Sequence, residues 1–206
     1  KKGLWLVLPL IVILYILPQF LPRFQIYLMA LIFATGLLAT SLNLVLGFGG
    51  MYQFHHAVFY GFGAYAFALL AVKSGLPVWL GYFLAPVCSA LLGLALGLLT
   101  IRLSKLYFGM LQISLGSLVW AIAYRWYDFT GGDDGIHGIP KPEFLDPTNY
   151  YILCLIVFLI CFLIMRMIVN SSFGLTIRLT RENLDRAKFI GINVRRYQLI
   201  NFIIAG

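Results

Sequence analysis

VWLGYFLAPVCSALLGLALGLLTI, residues 78–101, runs for 24 residues without a charged side chain, and Arg102 closes it. A helix needs about 20 apolar residues to cross roughly 30 Å of hydrocarbon, so this stretch is long enough to span a bilayer. Within it Gly81, Ala85, Ser89, Gly93 and Gly97 recur every fourth residue and fall on one helix face. A stripe of small residues lets two helices approach backbone to backbone. Tight packing inside a bundle is the reading this favours, with a pore-lining face as the alternative.

Similar runs flank it on both sides. Apolar stretches cover residues 3–22, 26–46, about 51–72, 106–127 and 150–169, and 197–206 reads as the start of a further span. Hydrophobic residues make up 62% of the chain and charged residues 11%, with a mean hydropathy of +0.94. Soluble domains carry about 25% charged residues, so this chain has too little polar surface to stay dissolved. Lys1 and Lys2 ahead of the first run resemble the start of a signal peptide. That run lacks a small-residue cleavage site and ends at Pro18 and Pro22, which favours a spanning helix. The expected fold is an all-α membrane protein, a polytopic transmembrane helix bundle of at least six to seven spans. It forms one transmembrane domain over 1–206, cut at both ends, with an irregular or re-entrant segment near 47–56.

Lys and Arg set the orientation. With the N-terminus inside, inner loops hold Lys1, Lys2, Arg102, Lys105, Arg166, Arg178, Arg181, Arg186, Lys188, Arg195 and Arg196, while outer loops hold Arg23, Lys73, Arg125 and Lys141. Eleven against four places 170–196 in the cytoplasm and 128–149 in the periplasm. The net charge of +8 thus reports membrane orientation, and no nucleic-acid partner is expected. Anionic lipid is, because it attracts basic segments.

Several classes are disfavoured by what is missing. No Asp or Glu occurs before Asp128, whereas ion-coupled carriers commonly place carboxylates in the membrane and paired-acid enzymes need them. No G-x-x-x-x-G-K-[ST] loop is present, so ATP is not hydrolysed by this chain. Gly47-Phe48-Gly49-Gly50 lacks the strand–helix surroundings of a dinucleotide fingerprint. Cys88, Cys154 and Cys161 all lie in apolar runs, which implies no disulfide framework. Catalytic residues, metal ligands and a cofactor are therefore not expected.

Three segments depart from plain apolar helix. NLVLGFGGMYQFHHAVFYGFGAY, residues 43–65, sets Asn43, Gln53, His55 and His56 among glycines. Irregular backbone at membrane depth is tolerated only where protein buries it or water lines it, and broken helices often build transporter binding sites. The alternative puts the histidines at the headgroup interface. Adjacent histidines point to different sides of a helix, which disfavours a shared metal. The loop DFTGGDDGIHGIPKPEFLDPTN, residues 128–149, carries five of the seven acids. It reads either as a turn-rich connector or as a docking surface for an external partner. The basic stretch NSSFGLTIRLTRENLDRAKFIGINVRR, residues 170–196, is too polar to span. Ser171 or Ser172 can cap one short helix, and Asn183 with Asp185 a second. Ala187 and Gly191, four apart, suggest a flat helical face suited to a groove on a soluble protein.

Four blocks together carry a resemblance: Asn43–Tyr65, Leu106–Met110 with Gln112, Thr130–Pro140, and Phe173–Gly174 through Gly191–Val194. In this order they resemble the permease family of branched-chain amino acid ABC transporters, LivM type, over about residues 26–206. The resemblance implies a multi-pass permease of the bacterial plasma (inner) membrane, moving hydrophobic amino acids inward by alternating access. Its partners would be a second related permease, two cytoplasmic ATPase subunits that hold the ATP, and a periplasmic solute-binding protein. Asn43, Gln53, His55, His56 and Gln112 would border the pathway. Arg178, Arg181, Glu182, Asp185, Arg186, Ala187 and Gly191 would couple to the ATPase, and Asp133, Asp134 and His137 would meet the binding protein. A secondary carrier or channel for a small solute is the alternative. Branched-chain amino acids, urea, amides and aromatic acids all stay open as substrates.

Overall fold

The computed structural model describes residues 4–74, 77–103, 105–140 and 146–206. Lys1, Lys2 and Lys141 of the charge count lie outside the described residues. Ten α-helices appear among the described residues: α1 Leu4–Ile16, α2 Arg23–Asn43, α3 Ala57–Val72, α4 Val78–Thr100, α5 Lys105–Arg125, α6 Tyr127–Thr130, α7 Pro147–Asn170, α8 Ser172–Glu182, α9 Leu184–Phe189 and α10 Val194–Ala205. A π-helical turn, Leu44–Phe48, extends α2. The chain is a polytopic helical membrane protein.

Four described helices are long and apolar enough to cross a membrane: 23–48, 78–100, 106–125 and 147–170. This is fewer than the six or seven apolar runs. The shortfall has local causes. The first run is helical only to Ile16, where a 3₁₀ turn at Leu17–Gln19 takes over around Pro18. The third run is helical only from Ala57, because residues 49–56 are not helical.

Contacts sort into two compact units, Lys1–Leu37 with Lys141–Ile164, and Leu38–Pro140 with Met165–Gly206. The first unit centres on Ile26, Phe33, Tyr151 and Leu155. Pro18 has no N–H, so the carbonyl of Leu14 loses its helical donor. The hydroxyl of the fully buried Tyr151 donates to that carbonyl instead at 2.8 Å, while its ring meets Phe33 at 5.3 Å. Tyr151→Phe keeps the ring and orphans the carbonyl. It should cost about 1–3 kcal/mol, read as a lowered melting midpoint of the detergent-purified protein.

In the second unit α3 and α4 pack antiparallel, with Phe67 against Gly81, Ser89 donating to the Phe59 carbonyl at 3.1 Å, and Phe59 near Gly93. Helix α10 lies on the same α4 stripe, where Gly93 and Gly97 face Ile203, Leu199 and Phe202. All five small residues of the stripe are buried. The stripe is therefore a packing surface. Phe202, fully buried, meets Phe59 and Phe108 edge-on at 5.5 and 6.0 Å.

Candidate translocation site and coupling loop

The segment between α2 and α3 is the irregular one. At the end of α2 the π turn folds back: Gly49 N–H donates to Leu44 O at 3.1 Å, Gly50 N–H to Leu46 O at 3.1 Å, and Met51 N–H to Val45 O at 3.2 Å. Gly50 takes φ +64° there, a conformation costly for residues with a Cβ. The chain then runs extended along α5. The Tyr52 carbonyl and the Phe54 ring lie on Gly109, and the His55 ring lies on Gly116, with no room at either glycine for a side chain. Gln112 falls between those two glycines on the same helix face. Farther on, Lys73 after α3 donates to the carbonyls of Asp128 and Phe129 at 2.8 Å each. Residues 51–73 thus accompany α5 from one end to the other. Five non-helical residues before His56 and a 16-residue helix cover about 40 Å.

Polar groups are buried along this break. His56 is 4% exposed, and its Nε2 lies 2.6 Å from Ser41 Oγ. Ser41 donates its one proton to Leu38 O at 3.0 Å. Ser41 and His56 Nε2 thus share a hydrogen bond, and Nδ1 is left without a protein partner. Gln53 is 3% exposed, and neither its amide nitrogen nor its oxygen has a partner. Gln112 is buried but satisfied, donating to Thr100 Oγ1 at 3.0 Å. Asn201, which the sequence did not single out, donates to Leu44 O at 3.2 Å and leaves its Oδ1 unpartnered. Each orphaned buried polar group costs about 1–3 kcal/mol, so Gln53, His56 and Asn201 favour any guest that supplies complementary groups.

A cavity of about 670 Å³ opens between α3, α4 and α5, walled by apolar and aromatic side chains that include Tyr65, Trp120, Trp126 and Phe129. Of the five expected pathway residues only His55 lines it. Asn43 is exposed at the end of α2, its amide oxygen standing where a Cβ on Gly47 would be.

The segment 170–196 folds into the capped short helices its sequence indicates. Ser171 Oγ accepts from Gly174 N–H at 3.4 Å, and Asn183 Oδ1 accepts from Asp185 and Arg186 N–H at 3.1 and 3.0 Å. Asn193 caps α10 likewise, accepting from Arg196 N–H at 3.3 Å. The flat face does not exist. Ala187 is buried inside the unit, and Gly191 stands beyond α9 with φ +83° in open space. It terminates the helix, with Ile192 N–H reaching back to Ala187 O at 3.0 Å.

Two of the arginines expected to couple to the ATPase bond to main-chain carbonyls of this same unit. Arg178 donates to Val169 O at 3.0 Å and stacks on Phe48 at 5.1 Å, and Arg181 Nη1 donates to Gly47 O. Glu182, Asp185 and Arg186 are exposed. Beside them stand Phe189 at 90% and Ile190 at 69% exposure. The sequence reading passed over this pair, although two apolar residues ending a charged stretch were visible.

At the other end Asp133, Asp134 and His137 are all exposed. Gly131, Gly132, Gly135 and Gly138 give the loop its positive φ angles. The Tyr127 hydroxyl donates to Asp134 Oδ2 at 2.7 Å, and this bond holds the Tyr127 pKa above its ordinary value.

Residues 24–206 match the family described as branched-chain amino acid transport system, permease component. Two similar curated proteins are each named high-affinity branched-chain amino acid transport system permease protein LivM. The one from Escherichia coli (strain K12) is 25% identical over 197 residues, covering 82% of this chain and 46% of the relative. The one from Salmonella typhimurium (strain LT2) is 37% identical over 106 residues, covering 52% of this chain and 25% of the relative. The chain spans less than half the length of these relatives. No solved structure matches it. With all but the first 23 residues inside the match, the chain belongs to the family of branched-chain amino acid transport system permease components.

Proposed function

We propose that this chain is a membrane-embedded permease subunit of a bacterial ABC importer. It would carry hydrophobic amino acids across the inner membrane by alternating access. The observation that carries this is the broken crossing at 44–56, where buried polar groups of Gln53 and His56 without protein partners lie on a span otherwise built for lipid. An amino acid needs polar partners for its charged ends and apolar surface for its side chain, and His55 touches the apolar cavity while His56 and Gln53 hold the polar groups. ATP would be bound by two cytoplasmic partner subunits docked on 170–196. A second permease and a periplasmic binding protein, meeting Asp133, Asp134 and His137, would complete the assembly.

Uptake of radiolabelled leucine by the full complex in liposomes tests the pathway. Gln53→Leu and His55→Leu should each cut uptake while leaving complex assembly intact. Normal uptake in both variants would mean these side chains lie off the route.

Orientation gives an independent check. With Cys88, Cys154 and Cys161 replaced by Ala, an impermeant thiol reagent should label Asp146→Cys but not Ser172→Cys in intact cells. The opposite pattern would invert the assignment of 170–196 to the cytoplasm.

A further inference from the structure

A helix end leaves its last carbonyls without helical donors. At the broken end of α2 the backbone closes three of them, as Gly49, Met51 and Gly50 donate to Leu44, Val45 and Leu46. The fourth, Gly47 O, accepts from Arg181 Nη1, 134 residues farther along the chain. The turn is shaped for this arginine, since a side chain on Gly50 would meet Arg181 Cγ at 2.6 Å and Cβ at 3.1 Å. One turn earlier on α8, Arg178 braces the same helix against Phe48 and Val169 O.

Helix α8 leads directly into α9, on the segment read above as ATPase-facing. The bond from Arg181 therefore ties that segment to the turn at the broken end of α2. An apolar contact could have fixed α8 more cheaply, whereas Arg181 is exposed. A charge-assisted bond in partly solvated surroundings is directional and can open and re-form.

We infer that Arg181 is a positioning residue for transport: it holds the Gly47–Gly50 turn to α8, so that movement of the ATPase-facing helices is passed to the broken crossing. This rests on the function proposed above. Solute moves only when the turn follows α8, and without the bond ATP is spent while the turn stays behind.

The test is leucine uptake per ATP hydrolysed, measured on the full complex in liposomes. Losing a hydrogen bond to a charged group corresponds to about tenfold or more in an equilibrium. Arg181→Gln should accordingly lower the uptake-to-hydrolysis ratio about tenfold while hydrolysis itself persists. Arg181→Lys, which keeps a charged donor on a long stem, should recover most of the ratio.

An unchanged ratio in Arg181→Gln overturns the inference. Failure of Arg181→Gln to assemble overturns it too, because the bond would then hold the fold and not the gate. If the unaltered complex neither binds the ATPases nor takes up leucine, the function proposed above fails instead.

Discussion

Gly174→Ala is expected to dislodge helix α8 from the bundle. A Cβ at this position would fall on the carbonyl oxygens of Ile168 and Val169, well inside van der Waals contact. Both obstacles are backbone at the end of α7, so no rotamer change relieves them. Overpacking commonly costs about 1–3 kcal/mol and occasionally more, and a collision with main chain belongs at the upper end. The position is also the anchor of α8, since Gly174 N–H donates to Ser171 and the buried face Gly174, Ile177, Thr180 continues from it. Shifting that face breaks the bond from Arg178 to Val169 O as well. At 1.4 kcal/mol per factor of ten, a cost of about 3 kcal/mol reduces the correctly docked fraction about a hundredfold relative to the displaced form. Limited proteolysis within 172–190 should become rapid, while Ser172→Ala, two residues away and exposed, leaves it slow. Protease resistance equal to the parent in Gly174→Ala would show that α8 does not sit on α7 as described.

The contacts at Gly97 and Gly116 rank below this one for a physical reason. At Gly97 the nearest obstacle is Leu199 Cδ1 at 2.8 Å, and at Gly116 it is the ring of His55. The leucine can change rotamer, and His55 borders a cavity of about 670 Å³ into which it can swing. Side chains yield where carbonyls do not.

These contrasts also show which parts of the molecule can be read from residue types alone. Bilayer thickness forces long apolar runs, so α2, α4, α5 and α7 were visible as such. The α4 stripe was visible because its partners need only be close, and Ser171 and Asn183 because a cap bonds within three residues. What escaped reading depends on distant chain. The extended course of 52–55 is set by Gly109 and Gly116 on α5, and nothing in 43–65 names that seat. Arg178 and Arg181 look like solvated charges until Val169 O and Gly47 O are known to face them. Ala187 and Gly191 share a face only on a continuous helix, and the left-handed Gly191 ends it. Charge bias sorts the loops into a basic and a less basic set but does not say which of the basic side chains are exposed.

What does point outward on α9 supports the second large effect, expected from Phe189→Ala combined with Ile190→Ala. Phe189 is 90% and Ile190 69% exposed, at the end of a helix whose other side is fixed by the buried Ala187. Exposed single apolar residues are ordinary, but two adjacent ones on a short, doubly capped helix form a rigid knob. Central apolar anchors of this kind contribute about 2 kcal/mol or more each in the interfaces where they act as hot spots. Around them Asp185 and Lys188 pair at 3.4 Å, both strongly exposed. Such a surface pair is worth little for stability and can serve as a charged rim. Truncating the knob should therefore weaken ATPase-subunit binding by at least about thirtyfold. The subunit's own melting midpoint should barely move, because exposed positions usually change stability by no more than about 0.5 kcal/mol. A lipid contact predicts another pattern: vesicle binding by the cytoplasmic face would fall, and ATPase affinity would stay at the parent value. Titration of the purified ATPase subunit against the permease in nanodiscs separates the two. Unchanged affinity in the double variant would remove Phe189 and Ile190 from the interface and leave the docking of 170–196 without an apolar centre.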